Sequence, residues 1–166
     1  MAEMEVNKMV SKKDLLIIAE LRRNARESLT EMSKHTKIPI STIYDRLKMN
    51  EGSLIKKHTT LIEFSKLGFY TRANILLKVE HDCKNEVKDF LIRHHRINSV
   101  FQVNNGYDFL AEGIFKHIKE LEDFLEEVES KFRVQKRDVY YIIEELKRES
   151  FLSDGQLVEL IEKESS

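Results

Sequence analysis

The chain of 166 residues carries 28 Lys/Arg against 29 Asp/Glu, with 41% hydrophobic and 34% charged residues, an ordinary composition for a soluble globular protein of one domain or two small ones. It holds no apolar run near the roughly 18 to 20 residues needed to cross a bilayer, and Glu3 and Glu5 stand where a secretory leader would be basic and then apolar, so a cytoplasmic location is expected. The single cysteine, Cys83, cannot form an intramolecular disulfide, in agreement with a reducing compartment. The net charge of −1 hides a split: residues 1–68 hold 13 Lys/Arg against 9 Asp/Glu, and the remainder 15 against 20. A mildly basic front and an acidic back fit a nucleic-acid-binding head joined to a body with another task.

Residues 1–12 show no periodicity. From Lys13 to about Asn24, Ile17, Ile18, Leu21 and then Ala25 mark one face of a helix, with Asp14 placed in its first turn to favour the helix dipole. Arg22, Arg23 and Arg26 can be read as phosphate contacts or as a solvated face, and for Arg22 and Arg23 the solvated face is preferred. Ser28 and Glu31 form a capping-box pair followed by apolar Leu29 and Met32, which predicts a short helix to about His35. Pro39 disfavours helix at Ile38 and suits the first turn of a second helix, Ile40 to about Glu51. Ile40, Ile43 and Leu47 would face inward, leaving Ser41, Thr42, Tyr44, Asp45 and Lys48 on the other side. A helical pair whose second member presents small polar side chains near its N-terminus can enter a DNA major groove, although structural helical hairpins share this spacing. Gly52 and Ser53 should end that helix. The segment 51–62, β-rich around Lys56 and Lys57, predicts a small hairpin, a wing whose lysines meet the DNA backbone or protect an edge strand. Glu63 to Phe69 form a connection with Leu67-Gly68 as hinge.

From Tyr70 the pattern changes. A strand is expected around 73–79, a helix from about Lys84 to His94, and strands Ile97–Val103 and Tyr107–Phe115 flanking the turn signal Asn104-Asn105-Gly106. A second helix should run from about His117 to Ser130 with Ile118, Leu121, Leu125 and Val128 inward, and a last strand from Asp138 to Ile143. The order β-α-β-β-α-β defines a ferredoxin-like α+β domain, an antiparallel four-stranded sheet with both helices on one face. Apolar residues on both sides of the strands, as in Ile75-Leu76-Leu77, indicate that the other face is buried by a second subunit. Glu144 to Glu149 should leave the sheet, and Asp154 to Glu162, with Leu157, Leu160 and Ile161, predicts a C-terminal helix. The domains expected are thus a winged helix-turn-helix over 1–62, a hinge over 63–69, the ferredoxin-like unit over 70–149 and a helical extension over 150–166.

Asp14-x-x-Ile17-Ile18-x-x-Leu21, Asn24-Ala25-Arg26, Leu29-Thr30-Glu31-Met32, Ser41-Thr42-Ile43-x-x-Arg46-Leu47, Leu67-Gly68 and Asn105-Gly106-Tyr107-Asp108-Phe109-Leu110, in this order, resemble the Lrp/AsnC family, the feast/famine transcription regulators, over about residues 13–145. The resemblance implies a sequence-specific DNA-binding regulator without catalytic residues, cofactor or metal, acting as a homodimer, tetramer or octamer through its sheet. It implies DNA contacts from Ser41, Thr42, Tyr44, Asp45, Arg46, Lys48, Lys56 and Lys57. It also implies an amino acid or related metabolite as effector, bound near Asn104, Asn105, Gly106, Tyr107 and Asp108. A turn there can offer backbone N–H groups to a carboxylate while Asp108 accepts from an ammonium; the other reading is that Gly106 permits the turn and Asp108 stabilises it. Three features depart from the family pattern. Pro39 stands where many members have a capping Ser, the segment Arg46 to Ile55 is about one residue short, with Asn50 near the usual leucine, and the chain from Ser150 onward exceeds the usual body.

Competing readings are weaker. Sirohaem decarboxylases resemble this scaffold, but their His-Asn-Tyr-x-Arg-x-His-like run and accompanying Trp are not matched by Arg93-His94-His95-Arg96 in a chain with no Trp. His81, Cys83, His94 and His95 hold metal-ligand chemistry at no established zinc spacing, and His94 and His95 suit a helix C-terminus. No phosphate-cradling glycine loop and no Ser/His/Asp or Cys/His set is present. Pro39 and the acidic body also permit an interaction protein without DNA binding, against which Lys48, Lys56 and Lys57 argue.

Overall fold

The computed structural model describes residues 10–156 and 158. The chain divides into two compact units, residues up to 61 joined by those from 146 onward, and Ile62–Glu145; they are called here the head and the body.

The described residues of the head include α1 (Lys12–Arg23), α2 (Leu29–Thr36) and α3 (Ile40–Asn50). Ser11 caps α1 in a complete capping box with Asp14, a pairing that the aperiodic N-terminal residues concealed. At α2 only half of the expected box forms. Ser28 Oγ accepts from Glu31 N at 3.1 Å, but the Glu31 carboxylate turns to Lys34 Nζ at 2.6 Å. The turn after α2 is fixed by left-handed Lys37 (φ 60°) and by Ser33 Oγ donating to the Ile38 carbonyl at 2.7 Å. Ile17, Met32, Ile38 and Ile43 form the core, with Leu16, Leu21, Leu29 and Leu47 packed around them. Ala25 and Ile40, expected inward, are exposed, since each lies at or past a helix end and can turn from the shared core without breaking the apolar stripe.

After α3 the expected hairpin is not formed. Gly52, left-handed at φ 76°, turns the chain, and a single isolated bridge joins Glu51 to Ile55; residues 56–63 carry no ladder. Lys56-Lys57-His58 offers no apolar face, and a two-stranded ribbon without one is marginal. The connection into the body contains a short 3-10 turn, Phe64–Leu67, closed by left-handed Gly68.

The body contains β1 (Thr71–Val79), α4 (Lys84–Arg93), β2 (Ile97–Gln102), β3 (Phe109–Phe115), α5 (Ile118–Lys131) and β4 (Val134–Tyr141), in an antiparallel sheet ordered β2-β3-β1-β4. This is the ferredoxin-like α+β arrangement. Alternate residues of β1, from Thr71 to Val79, are buried, and Val87, Leu91, Leu121, Phe124, Leu125 and Val128 of the two helices complete that core. Gly113 is required in β3: a Cβ there would come within 2.4 Å of the Phe115 ring. Ile118, expected inward, is exposed in the first turn of α5. β4 begins four residues before the expected Asp138 because its first half is an edge strand rich in polar residues. Arg137 stands opposite Leu77 and pairs with Glu129 at 2.9 Å, so no apolar alternation marks it. Of the expected C-terminal helix, Gly155, Gln156 and Val158 are helical, and the remainder lies outside the described residues. Among the described residues no helix is long and apolar enough to cross a membrane.

Candidate nucleic-acid interface

An α-helix turns about 100° per residue, so Ser41, Tyr44, Asp45 and Lys48 form one continuous stripe along α3. All four are exposed, Tyr44 at 55%. Ile40 joins this stripe, an apolar contact surface that sequence periodicity had assigned to the core. Thr42 is half-buried at its flank. Pro39 occupies the N-cap position of α3, where no side chain caps the helix; a helix N-terminus carries N–H groups of the kind that can hold phosphate.

Arg46 lies on the other side. Its Nη1 donates to Asp14 Oδ2 at 2.8 Å and to Ser11 Oγ at 2.9 Å, while Asn50 Nδ2, one turn further along α3, donates to Asp14 Oδ1 at 3.0 Å. Asp14, 5% exposed, also accepts from Ser11 N and Ser11 Oγ. Burial alone would raise its carboxyl, but the hydrogen bonds from Ser11 and Asn50 and the charge of Arg46 outweigh it and hold the group below the usual carboxylate range. One buried carboxylate thus grips the start of α1 and two turns of α3. Arg46 is engaged inside the head, and no local sequence signal pairs it with a residue 32 positions away.

Lys56 and Lys57 are exposed on the irregular segment after α3. Arg22 and Arg23 are both exposed, as a solvated face requires; Arg22 is also held by Glu149 and the Phe151 carbonyl, and Arg23 contacts Glu20 and His35.

In the body, Asn105 (φ 60°) and Gly106 (φ 89°) are both left-handed, as a tight hairpin turn requires, and Asn104, Asn105 and Gly106 are exposed. Asp108 is turned inward at 7% exposure: its carboxylate accepts from Val79 N at 3.0 Å and meets Lys84 Nζ at 2.6 Å, with Lys78 Nζ at 3.4 Å. Burial opposes its ionisation, and the Lys84 and Val79 hydrogen bonds with the two lysine charges prevail, lowering its pKa. Tyr107 donates to Asp138 and lies under Lys136 Nζ, 4.4 Å from the ring centroid.

A cavity of about 460 Å3 is lined by Phe90, His94, His95 and Phe132 with the charged Glu86, Asp89 and Arg93. His94 stacks on His95 with centroids 4.8 Å apart and lies against Phe90 and Phe124. Desolvation, then the neighbouring His95, push its pKa down. Among the described residues, no group of three or more His, Cys, Asp or Glu is placed to hold a metal ion.

Residues 10–49 match a family model described as winged helix-turn-helix DNA-binding. The HTH-type transcriptional regulator FL11 of Pyrococcus furiosus is 34% identical over 118 residues, covering 70% of this chain and 78% of the relative; its Pyrococcus abyssi counterpart is 32% identical over the same shares. Among solved structures, a Neisseria meningitidis transcriptional regulator in complex with L-methionine superposes with TM-score 0.77 at 19% identity, covering 83% of this chain and 92% of that one. E. coli AsnC superposes with TM-score 0.75 at 15% identity, covering 87% and 99%. The head's fold, its exposed α3 and these relatives define a helix-turn-helix transcriptional regulator. The chain belongs to the Lrp/AsnC family.

Proposed function

We propose that this regulator reads duplex DNA through Ser41, Tyr44, Asp45 and Lys48, with Thr42 at the flank. The observation that carries the reading is the exposed stripe on α3 beside an uncapped helix N-terminus: side chains at base edges supply sequence information, and N–H groups at a phosphate supply register. Lys56 and Lys57 add phosphate affinity without sequence information. Arg46, with Asn50, acts on the DNA only by holding α3 against Asp14.

A homodimer, or a larger even-numbered oligomer, reads a pseudo-palindrome. Supporting this is the uncovered sheet face, where Phe101, Leu110 and Leu76 stand in register across β2, β3 and β1, with Asn74 opposite Tyr140 beside them. An amino acid or related metabolite modulates the assembly; the L-methionine held by the Neisseria relative supports that class of effector. Because Asp108 is already saturated by Lys84, Lys78 and Val79, the effector is met at the turn by the exposed backbone of Asn104 to Gly106 and by Tyr107 rather than by that carboxylate. The domain plan proposed is a DNA-binding head and an oligomerisation and effector body in a cytoplasmic protein, and the names of its relatives support a non-catalytic role. Gel-shift titration against genomic fragments tests the reading. A few fragments should bind at least tenfold more tightly than the rest, and uniformly weak binding to all would overturn it.

A further inference from the structure

We propose that residues 146–156 and 158 are a strap that completes the DNA-binding head after the body has been formed. Two contacts bound its start. On the uncovered face of β1, Arg72 Nε donates to Glu112 at 2.6 Å while its Nη1 pairs with Glu145, the last residue of the body. Four residues on, Glu149 Oε2 accepts from Arg22 Nη2 at 3.0 Å, and the Phe151 carbonyl accepts from Arg22 Nε at 2.7 Å. One guanidinium on α1 therefore holds both a side chain and a backbone group of the segment, a two-point grip that fixes its orientation as a single ion pair would not.

The segment then packs. Glu149 and Leu152 are both left-handed without being glycine, at φ 50° and 57°, a conformation that persists where surrounding contacts over-determine it. Ser153 donates through N and Oγ to the Ser150 carbonyl. Gly155 begins a helical turn beside α1, where a Cβ would lie 4.0 Å from Leu16 Cδ2, and Val158 is fully buried. A tail with no role in the head would have no reason to bury an apolar side chain there.

Arg22 is thereby a positioning residue of the head, held by the segment that follows the body, rather than a phosphate contact.

Charge exchange in the full-length protein tests this. Arg22→Glu and Glu149→Arg should each speed native-state hydrogen exchange of the α1 amides by about three- to fivefold, the effect expected of one partly exposed ion pair, and leave β1 and β3 unchanged. The double variant should return to within about twofold of the parent rate. A chain ending at Glu145 should exchange its α1 amides fastest of all, and should that chain fail to fold, the exchange of charges decides alone. Unchanged exchange in the single variants, or a double variant as fast as the two effects combined, would overturn the strap.

Discussion

The head and the body are held together by different means. In the body, thirteen buried apolar residues form one cluster across the sheet and both helices. In the head, among the described residues, the central cluster has four, and the relative placement of α1 and α3 rests as much on one carboxylate, Asp14, with Ser11, Arg46 and Asn50 around it. A large core is insensitive to any single polar pairing. A small one gains a defined geometry from a satisfied polar network, and becomes vulnerable at its centre.

Three further measurements would break or sharpen that contrast. Leu125→Ala should lower the stability of the body by about 2 to 5 kcal/mol, read as faster hydrogen exchange across β1, β3 and α5. An equal fall in α2 would show that the two units unfold as one. Asp14→Asn should cost the head about 2 kcal/mol, below the 3 to 5 kcal/mol of a fully buried broken pair because Arg46 is partly exposed, and it should weaken DNA binding with the body's exchange rates unchanged. An unaltered head would show that its apolar cluster suffices.

Acidification should separate the units by pH, with a smaller effect. His94 in the body has a folded pKa below its unfolded value of 6.5, so the unfolded chain takes up the proton first. Body stability is complete above that value and declines as pH falls below it. Asp14 in the head has a lowered carboxyl pKa, so its contribution is present above the unfolded value near 3.8 and is lost as pH falls through the folded one. Denaturant titrations followed by exchange should show the body weakening first, and His94→Gln should remove that early decline. A head that weakens first would reverse the assignment.

Much of this arrangement was legible from residue pattern. The helices α1 to α5 and the strands β1 to β3 follow from apolar spacing of 3.6 or 2 and from turn residues such as Asn105-Gly106, which are local signals. What escaped was non-local. Arg46 carries an exposed residue's chemistry and becomes internal only because Asp14 waits 32 positions away. Asp108 looked available until Val79 and Lys84 closed on it. The early half of β4 hid because Arg137 occupies an inward register position with Glu129 as its partner. The family match bears out the winged helix-turn-helix, but the segment read as its hairpin, residues 51–62, has one isolated bridge and no ladder, because propensity without a face to bury forms none.

The return of the chain to the head also has a consequence in time. The helix-turn-helix is made before the body, yet the 84 residues of the body, Ile62–Glu145, are synthesised before the residues that finish it. At typical translation rates that interval is on the order of ten seconds. A nascent chain therefore carries its recognition helix well before the unit presenting it is whole, and the residues that follow Glu145 determine when that unit is complete.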